Sequence, residues 1–291
     1  MRIVSLLPST TEILFAIGAG DDVVGVTFEC DFPAEALTRR IVSTSAMPHG
    51  LTPAEIDAYV VGAMSRGEDL YHLAADALVE LDADLVVTED LCAVCAVDVS
   101  VVDDALSYLG CRAEVLTIDP HTMDEVFASI LVLGRATGHL ASAEALASAL
   151  RARLEAVRAR VAGRPRPRVM LLEWTDPPYA PGHWVPEMIE AAGGECLLGK
   201  PGAKSERVPW ESVHEAAPDV VVVAPCGYDL AGARCSRPSW SPPACCRAAY
   251  PCTPSTPTQP GPGPAPAWST GSRSWRRFCT RGDRFTVGGR R

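Results

Sequence analysis

The feature that most constrains this chain is a long helical stretch, from Thr122 to Ala162, set between two segments of alternating strands and helices. Its second half, SAEALASALRARLEAVRARVA, places Leu146, Leu150, Leu154, Val157 and Val161 at steps of four, four, three and four. That spacing draws one apolar stripe along a helix. Ser142 is a candidate N-cap, and Gly163 followed by Pro165 stops the helix. Twenty or so helical residues reach about 30 Å, the width of a small domain. Strand-rich segments on both sides then predict an α/β protein of two Rossmann-like lobes joined by a long rigid helix: residues 1–120, a bridge at 121–163, and a second lobe at 164–234.

In the first lobe, Ile3–Leu6, Val23–Val26, Leu85–Thr88 and Val115–Ile118 are short apolar runs of the kind that form buried parallel strands. Thr52-Pro53-Ala54-Glu55 is a capping box with Pro at the first helical position, so a helix starts there. Another helix is expected near Val101–Leu109. After the bridge, Val169–Trp174 and Val220–Ala224 read as strands, with helices at Val185–Ala192 and from Trp210.

The net charge is −10, unevenly placed. From Cys235 onward the chain carries nine Arg against one Asp, leaving the first 234 residues at −18. An acidic body argues against a nucleic-acid partner. No apolar run is long enough to insert in a membrane. No signal peptide precedes the first strand, so the sequence as it stands reads as cytoplasmic, or as periplasmic if translation starts upstream. The 11 Cys follow no small-scaffold spacing, which favours free thiols or ligands over a disulfide framework.

Open α/β sheets bind ligands beyond the carboxyl ends of their strands. Here those ends hold Pro8, Ser9 and Thr10, then Glu29 and Cys30, then Glu89 with Cys92 and Cys95, then Tyr179, His183 and Trp184, and finally Tyr228. Two lobes presenting such loops to each other enclose a cleft. Cys92 and Cys95 form a CxxC pair; with Cys30 and His183 they supply three thiols and an imidazole, a donor set suited to zinc or another soft metal, or to a cobalt or iron chelate. His72, His121, His139 and His214 show no partner in the sequence.

The motifs RIVSLLPSTTEILFAIGAGDDVVGV, ECDFP, DLVV, EAAGGE, RVPW and PDVVVVAPCGYD follow one another in an order that resembles the helical-backbone substrate-binding proteins of ABC importers. The cobalamin-binding branch, with members that carry a DLCxVCA loop, is most similar. The resemblance spans residues 1–232. It implies two lobes on a rigid helix, a monomer without enzymatic activity, and a cobalamin, related corrinoid or other metal chelate as a small-molecule ligand passed to an ABC permease. It places Tyr179 and Trp210 at aromatic positions, whereas Glu29 and Glu89 stand where other receptors have flat aromatic walls. It also implies permease docking through a surface Glu on each lobe, Glu55 and Glu211. The alternative is a cytosolic metal-binding or thiol-dependent protein that uses Cys30, Cys92 and Cys95 on the same fold.

The last stretch differs in kind. Residues 235–291 hold ten Pro, nine Arg and five Cys, and no Leu, Ile, Met, Glu or Lys. Such a segment cannot bury a core and reads as a disordered tail. It also reads as translated out of frame. GC-rich codons restarted on the third base give a helix-period run, a strand-like VHAVDA and a closing amphipathic helix. A stop codon then falls across Gly282 and Asp283. That hidden ending resembles the strand and helix that complete the second lobe in this family.

Overall fold

The computed structural model describes residues 1–89, 102, 113–228 and 232–233. Cys92, Cys95, most of the helix expected at Val101–Leu109, and the tail from Cys235 lie outside the described residues.

Lobe one is built on six strands: β1 (Ile3–Ser5), β2 (Val23–Thr27), β3 (Arg40–Ser45), β4 (Tyr71–Leu73), β5 (Leu85–Thr88) and β6 (Glu114–Thr117). Their order is β4-β3-β2-β1-β5-β6. All neighbours are parallel except β3 and β4. Every residue of β1 and β5 is buried, which explains why these strands are continuous apolar runs rather than alternating ones. Three helices, α1 (Pro8–Ala16), α2 (Pro53–Arg66) and α3 (Ala75–Glu80), accompany them. The capping box read at Thr52–Glu55 is present, with Pro53 in the first turn. The helix ends on Gly67 at φ 65°, a conformation that glycine adopts without Cβ strain.

The bridge is two helices, α4 (Met123–Ala136) and α5 (Leu140–Val161). A capping box between Thr122 and Glu125 starts α4, and the chain turns at Gly138. At 22 residues, α5 is the long helix expected, but it begins at Leu140 rather than after Ser142. Its buried stripe is Ala143, Ala147, Leu150 and Leu154; Leu146 and Val157 sit at its margin. The small residues decide this rotation. A Cβ on Gly134 of α4 would collide with Ala143, so the two helices approach closely only along a Gly/Ala seam.

Lobe two has a central strand, β7 (Arg168–Leu172), with β10 (Glu195–Cys196) on one side and β12 (Val220–Val223) on the other, all parallel. Helices α6 (Val185–Ala191) and α7 (Trp210–Glu215) flank them. A small antiparallel sheet joins β8 (Trp174–Thr175), β9 (Pro178–Ala180) and β11 (Glu206–Arg207). Sequence periodicity does not reveal it, because two- and three-residue strands carry no period. In the described sheet β12 has one neighbour, and its outer residues Val220 and Val222 remain 43% and 39% exposed.

Candidate functional site

The strand ends expected to form a ligand surface divide into an interior set and an interlobe set. In lobe one, Ser5 and Thr10 hydroxyls share a 2.7 Å hydrogen bond, and Thr11 donates to Ser5 Oγ at 2.8 Å. Thr11 Oγ1 also lies 3.1 Å from Cys30 Sγ. Thr10 and Thr11 further donate to the carbonyl of Leu7, tying down the start of α1. Thr10 and Cys30, expected at the ligand surface, lie in the interior of lobe one, at 0% and 3% exposure. Burial pushes the Cys30 thiol up to about 12, so the thiolate that metals require is strongly disfavoured. Glu29 and Glu89 are buried as well, and Pro8 is buried in the first turn of α1 with Ser9 half-buried beside it.

Lobe two meets the rest of the chain at two places. One lies after β3 of the lobe-one sheet, where α2 begins. Trp174 Nε1 donates to the carbonyl of Pro53 at 3.1 Å. Tyr179 Oη donates to Asp57 Oδ1 at 3.1 Å, and Arg207 pairs with Asp57 Oδ2 at 2.6 Å. The Arg207 guanidinium also lies 5.9 Å from the Tyr179 ring centre. Asp57 thus serves two lobe-two side chains at once, forming a latch. Sequence reasoning selected Tyr179 but missed Asp57, Arg207 and Trp174. Arg207 opens the RVPW motif and Trp174 ends a strand, and those were the available signals. Tyr228 packs edge-on against Trp174 with ring centres 5.6 Å apart, so these aromatics group at the carboxyl ends of β7 and β12.

Behind them, Glu173 is a largely buried carboxylate that accepts from Gly182 N at 3.1 Å and from the Ser205 hydroxyl. It staples the loop after β9 to the segment before β11. Burial raises its pKa above the ordinary carboxylate value, with both hydrogen bonds opposing the shift.

The second meeting place lies at the opposite edge of the sheet, after β6. Met123 N, in the first turn of α4, donates to Glu187 Oε2 of α6 at 2.6 Å. His121 and His183 face each other with ring centres 5.9 Å apart, and Trp184 stands 5.9 Å beyond His183. Trp184 also packs on the core shared by lobe one and the bridge. His183 adopts φ 50°, a left-handed conformation that costs a residue with a Cβ about 1–2 kcal/mol. Two backbone bonds hold it there, His183 N to Ala203 O at 2.6 Å and Gly202 N to His183 O at 3.0 Å. His183 Nε2 is buried with no hydrogen-bond partner among the described residues. Burial lowers its pKa, and the nearby His121 and Lys204 lower it further.

The remaining sequence candidates fall elsewhere. Trp210 packs on the lobe-two core around Met170, Leu172 and Val213 rather than on the interlobe face. Glu55 is exposed, and its Oε2 accepts from both the backbone N–H and the hydroxyl of Thr52 at 2.7 Å, which lowers its pKa. Glu211 is exposed in the first turn of α7. Among the described residues, no three His, Cys, Asp or Glu converge to hold a metal ion. The other histidines bind locally: His139 Nδ1 lies 2.8 Å from Thr137 O, and His214 Nδ1 lies 2.6 Å from Trp210 O. No described helix is long and apolar enough to cross a membrane.

The architecture has solved counterparts. A periplasmic vitamin B12 binding protein of Vibrio cholerae superposes with a TM-score of 0.54 at 22% identity, covering 76% of this chain and 74% of that one. A periplasmic haem-binding protein from Roseiflexus sp. RS-1 gives 0.56 at 24%, covering 76% and 74%. Another from Pseudomonas aeruginosa gives 0.57 at 21%, covering 81% and 75%. At these identities the likeness is one of fold. In sequence, an uncharacterized ABC transporter substrate-binding lipoprotein of Bacillus subtilis, YvrC, is 28% identical over 156 residues, 53% of this chain and 40% of that protein. The chain therefore matches less than half the length of this relative. Residues 3–235 match the family described as Periplasmic binding protein, and the chain belongs to that family.

Proposed function

We propose that the chain binds a tetrapyrrole-type metal chelate, a corrinoid or a haem, between its lobes and delivers it to an ABC permease. The observation that carries this reading is the gathering of aromatic and imidazole side chains where lobe two meets the rest of the chain: Trp174, Tyr179 and Tyr228 at one contact, His183 and Trp184 at the other. Flat, apolar-faced macrocycles are held by such side chains, with few polar groups to orient them. Fold neighbours that bind vitamin B12 or haem support the ligand class without choosing between its members. Glu55 and Glu211, exposed on separate lobes, are the candidate permease contacts; the Glu55 carboxylate is already engaged in its capping box. Isothermal titration with hydroxocobalamin, cobinamide and hemin tests the reading. A saturable heat with at least one of them is expected, and no heat with any of them sinks it.

The residues from about Cys235 belong, in this reading, to a shifted frame. The family match ending at residue 235 and the exposed outer face of β12 both support that. The segment encoded in the other frame would supply the strand and helix that cover Val220 and Val222. Resequencing the gene around the codon for Arg234 tests it, and an unbroken frame through Arg291 overturns it.

A further inference from the structure

The His121–His183 pair has a property that the ligand reading does not use. One imidazole stands at the start of the bridge, after β6, and the other belongs to lobe two, before α6. The backbone of His183 is fixed by its bonds to the 202–203 turn, and the rings of His121 and Trp184 flank its side chain. The ring lies between His121 and Trp184, tilted to both, and its Nε2 is buried without a hydrogen-bond partner among the described residues. A buried nitrogen of that kind is an open donor.

We propose that His121 and His183 form a two-imidazole site for a divalent transition-metal ion, of the nickel or zinc class, that ties lobe two to the start of the bridge. Two imidazoles on one tetrahedral ion, each bonded at about 2.0–2.1 Å, place their ring centres about 5.2 Å apart, so the pair needs to close by less than about 1 Å to share an ion. The observed separation is 5.9 Å. Imidazole nitrogen suits nickel, copper and zinc. A metal takes the lone pair of a neutral imidazole, so binding weakens as pH falls. The charges nearby act in opposite directions. Glu187, whose carboxylate holds Met123 N two residues after His121, favours a cation; Lys204, close enough to His183 to lower its pKa, opposes one. With no third protein donor among the described residues, the other coordination positions fall to water or to a donor atom of the cleft ligand. The site is independent of the tetrapyrrole reading, because a free ion suffices to test it.

Nickel titration of the full chain by calorimetry is the test, compared among wild type, His121→Ala, His183→Gly, Lys204→Ala and Glu187→Gln. Glycine at 183 removes the imidazole yet suits φ 50°, so that variant keeps its fold, as a thermal melt without metal verifies. Each histidine variant is expected to weaken binding at least tenfold and to abolish the rise of Tm with nickel. Lys204→Ala tightens binding and Glu187→Gln weakens it, each severalfold. Cysteines elsewhere can also take nickel, so the difference from wild type is the readout. Cobalt(II) spectra add a second one: the signal lost in His183→Gly lacks thiolate charge-transfer absorption. Nickel binding that is absent, or unchanged in both histidine variants, overturns the proposal.

Discussion

The two lobes are built from the same parts and finished differently. In lobe one, β1 and β5 lie inside a six-stranded sheet and are buried throughout. In lobe two, β12 is as apolar as either of them, yet Val220 and Val222 stay exposed on its outer side. Four consecutive valines are the composition of a strand meant to be covered on both faces. The difference teaches that composition records the environment a strand is suited to, and that exposure shows whether the rest of the fold supplies it. An apolar strand left open in this way is also an aggregation hazard.

The largest expected effect breaks the comparison directly. Ile3→Ala, at a fully buried position of β1, should cost about 2–5 kcal/mol, whereas Val222→Ala should stay within about 0.5 kcal/mol, as exposed positions do. Denaturant melts of both variants check this. Equal costs would mean that the β12 face is covered after all.

Next in size is the latch. Asp57→Ala removes the acceptor of both Tyr179 and Arg207, and a charged hydrogen-bonded group of this kind is worth about 1.5–3 kcal/mol. Arg207→Ala should cost less, about 0.2–1 kcal/mol, because that side chain is half exposed. If the latch joins the lobes, Asp57→Ala also separates the thermal transitions of lobe one and lobe two; a single transition shifted no further than that of Arg207→Ala would contradict it.

Glu173 gives a smaller, pH-dependent effect within lobe two. Its folded-state pKa lies above the unfolded one, so the fold favours the protonated carboxyl. The corresponding stability is full below the unfolded value and is lost as pH rises through the folded value. Glu173→Gln mimics the protonated form. The Tm of wild type relative to Glu173→Gln should therefore rise as pH falls from 7 toward 5, and a constant difference would show that the carboxyl carries no such shift. The smallest effect is expected from deleting residues 235–291. A segment without an apolar period contributes no core, so the melting curve should be unchanged. A lowered Tm would show that the tail packs on the fold.

Much of the architecture was legible because its signals are local. Leu85–Thr88 is a strand over the residues that read as one, and Thr52–Glu55 caps the helix it was expected to cap. The apolar stripe of α5 was misplaced by part of a turn, because alanines at 143 and 147 are weak in hydropathy but decisive for close helix contact. The site was less legible for a physical reason. Asp57 and Tyr179 are 122 residues apart in sequence, and His121 of the bridge and His183 of lobe two are separated by the two bridge helices, so nothing local pairs them. Cys30 misled the reading because a thiol at a strand end looks the same in sequence whether it faces a cleft or bonds Thr11 in the interior.

The central claim is that one ligand is held by both lobes at once. Hydrogen–deuterium exchange of the full chain, with and without saturating hemin or hydroxocobalamin, tests it most directly. The account predicts protection in both the 46–52 loop that leads into α2 of lobe one and the 174–184 loop of lobe two, in the same complex and at the same ligand concentration. Protection confined to one lobe, or no protection in either loop, would contradict it.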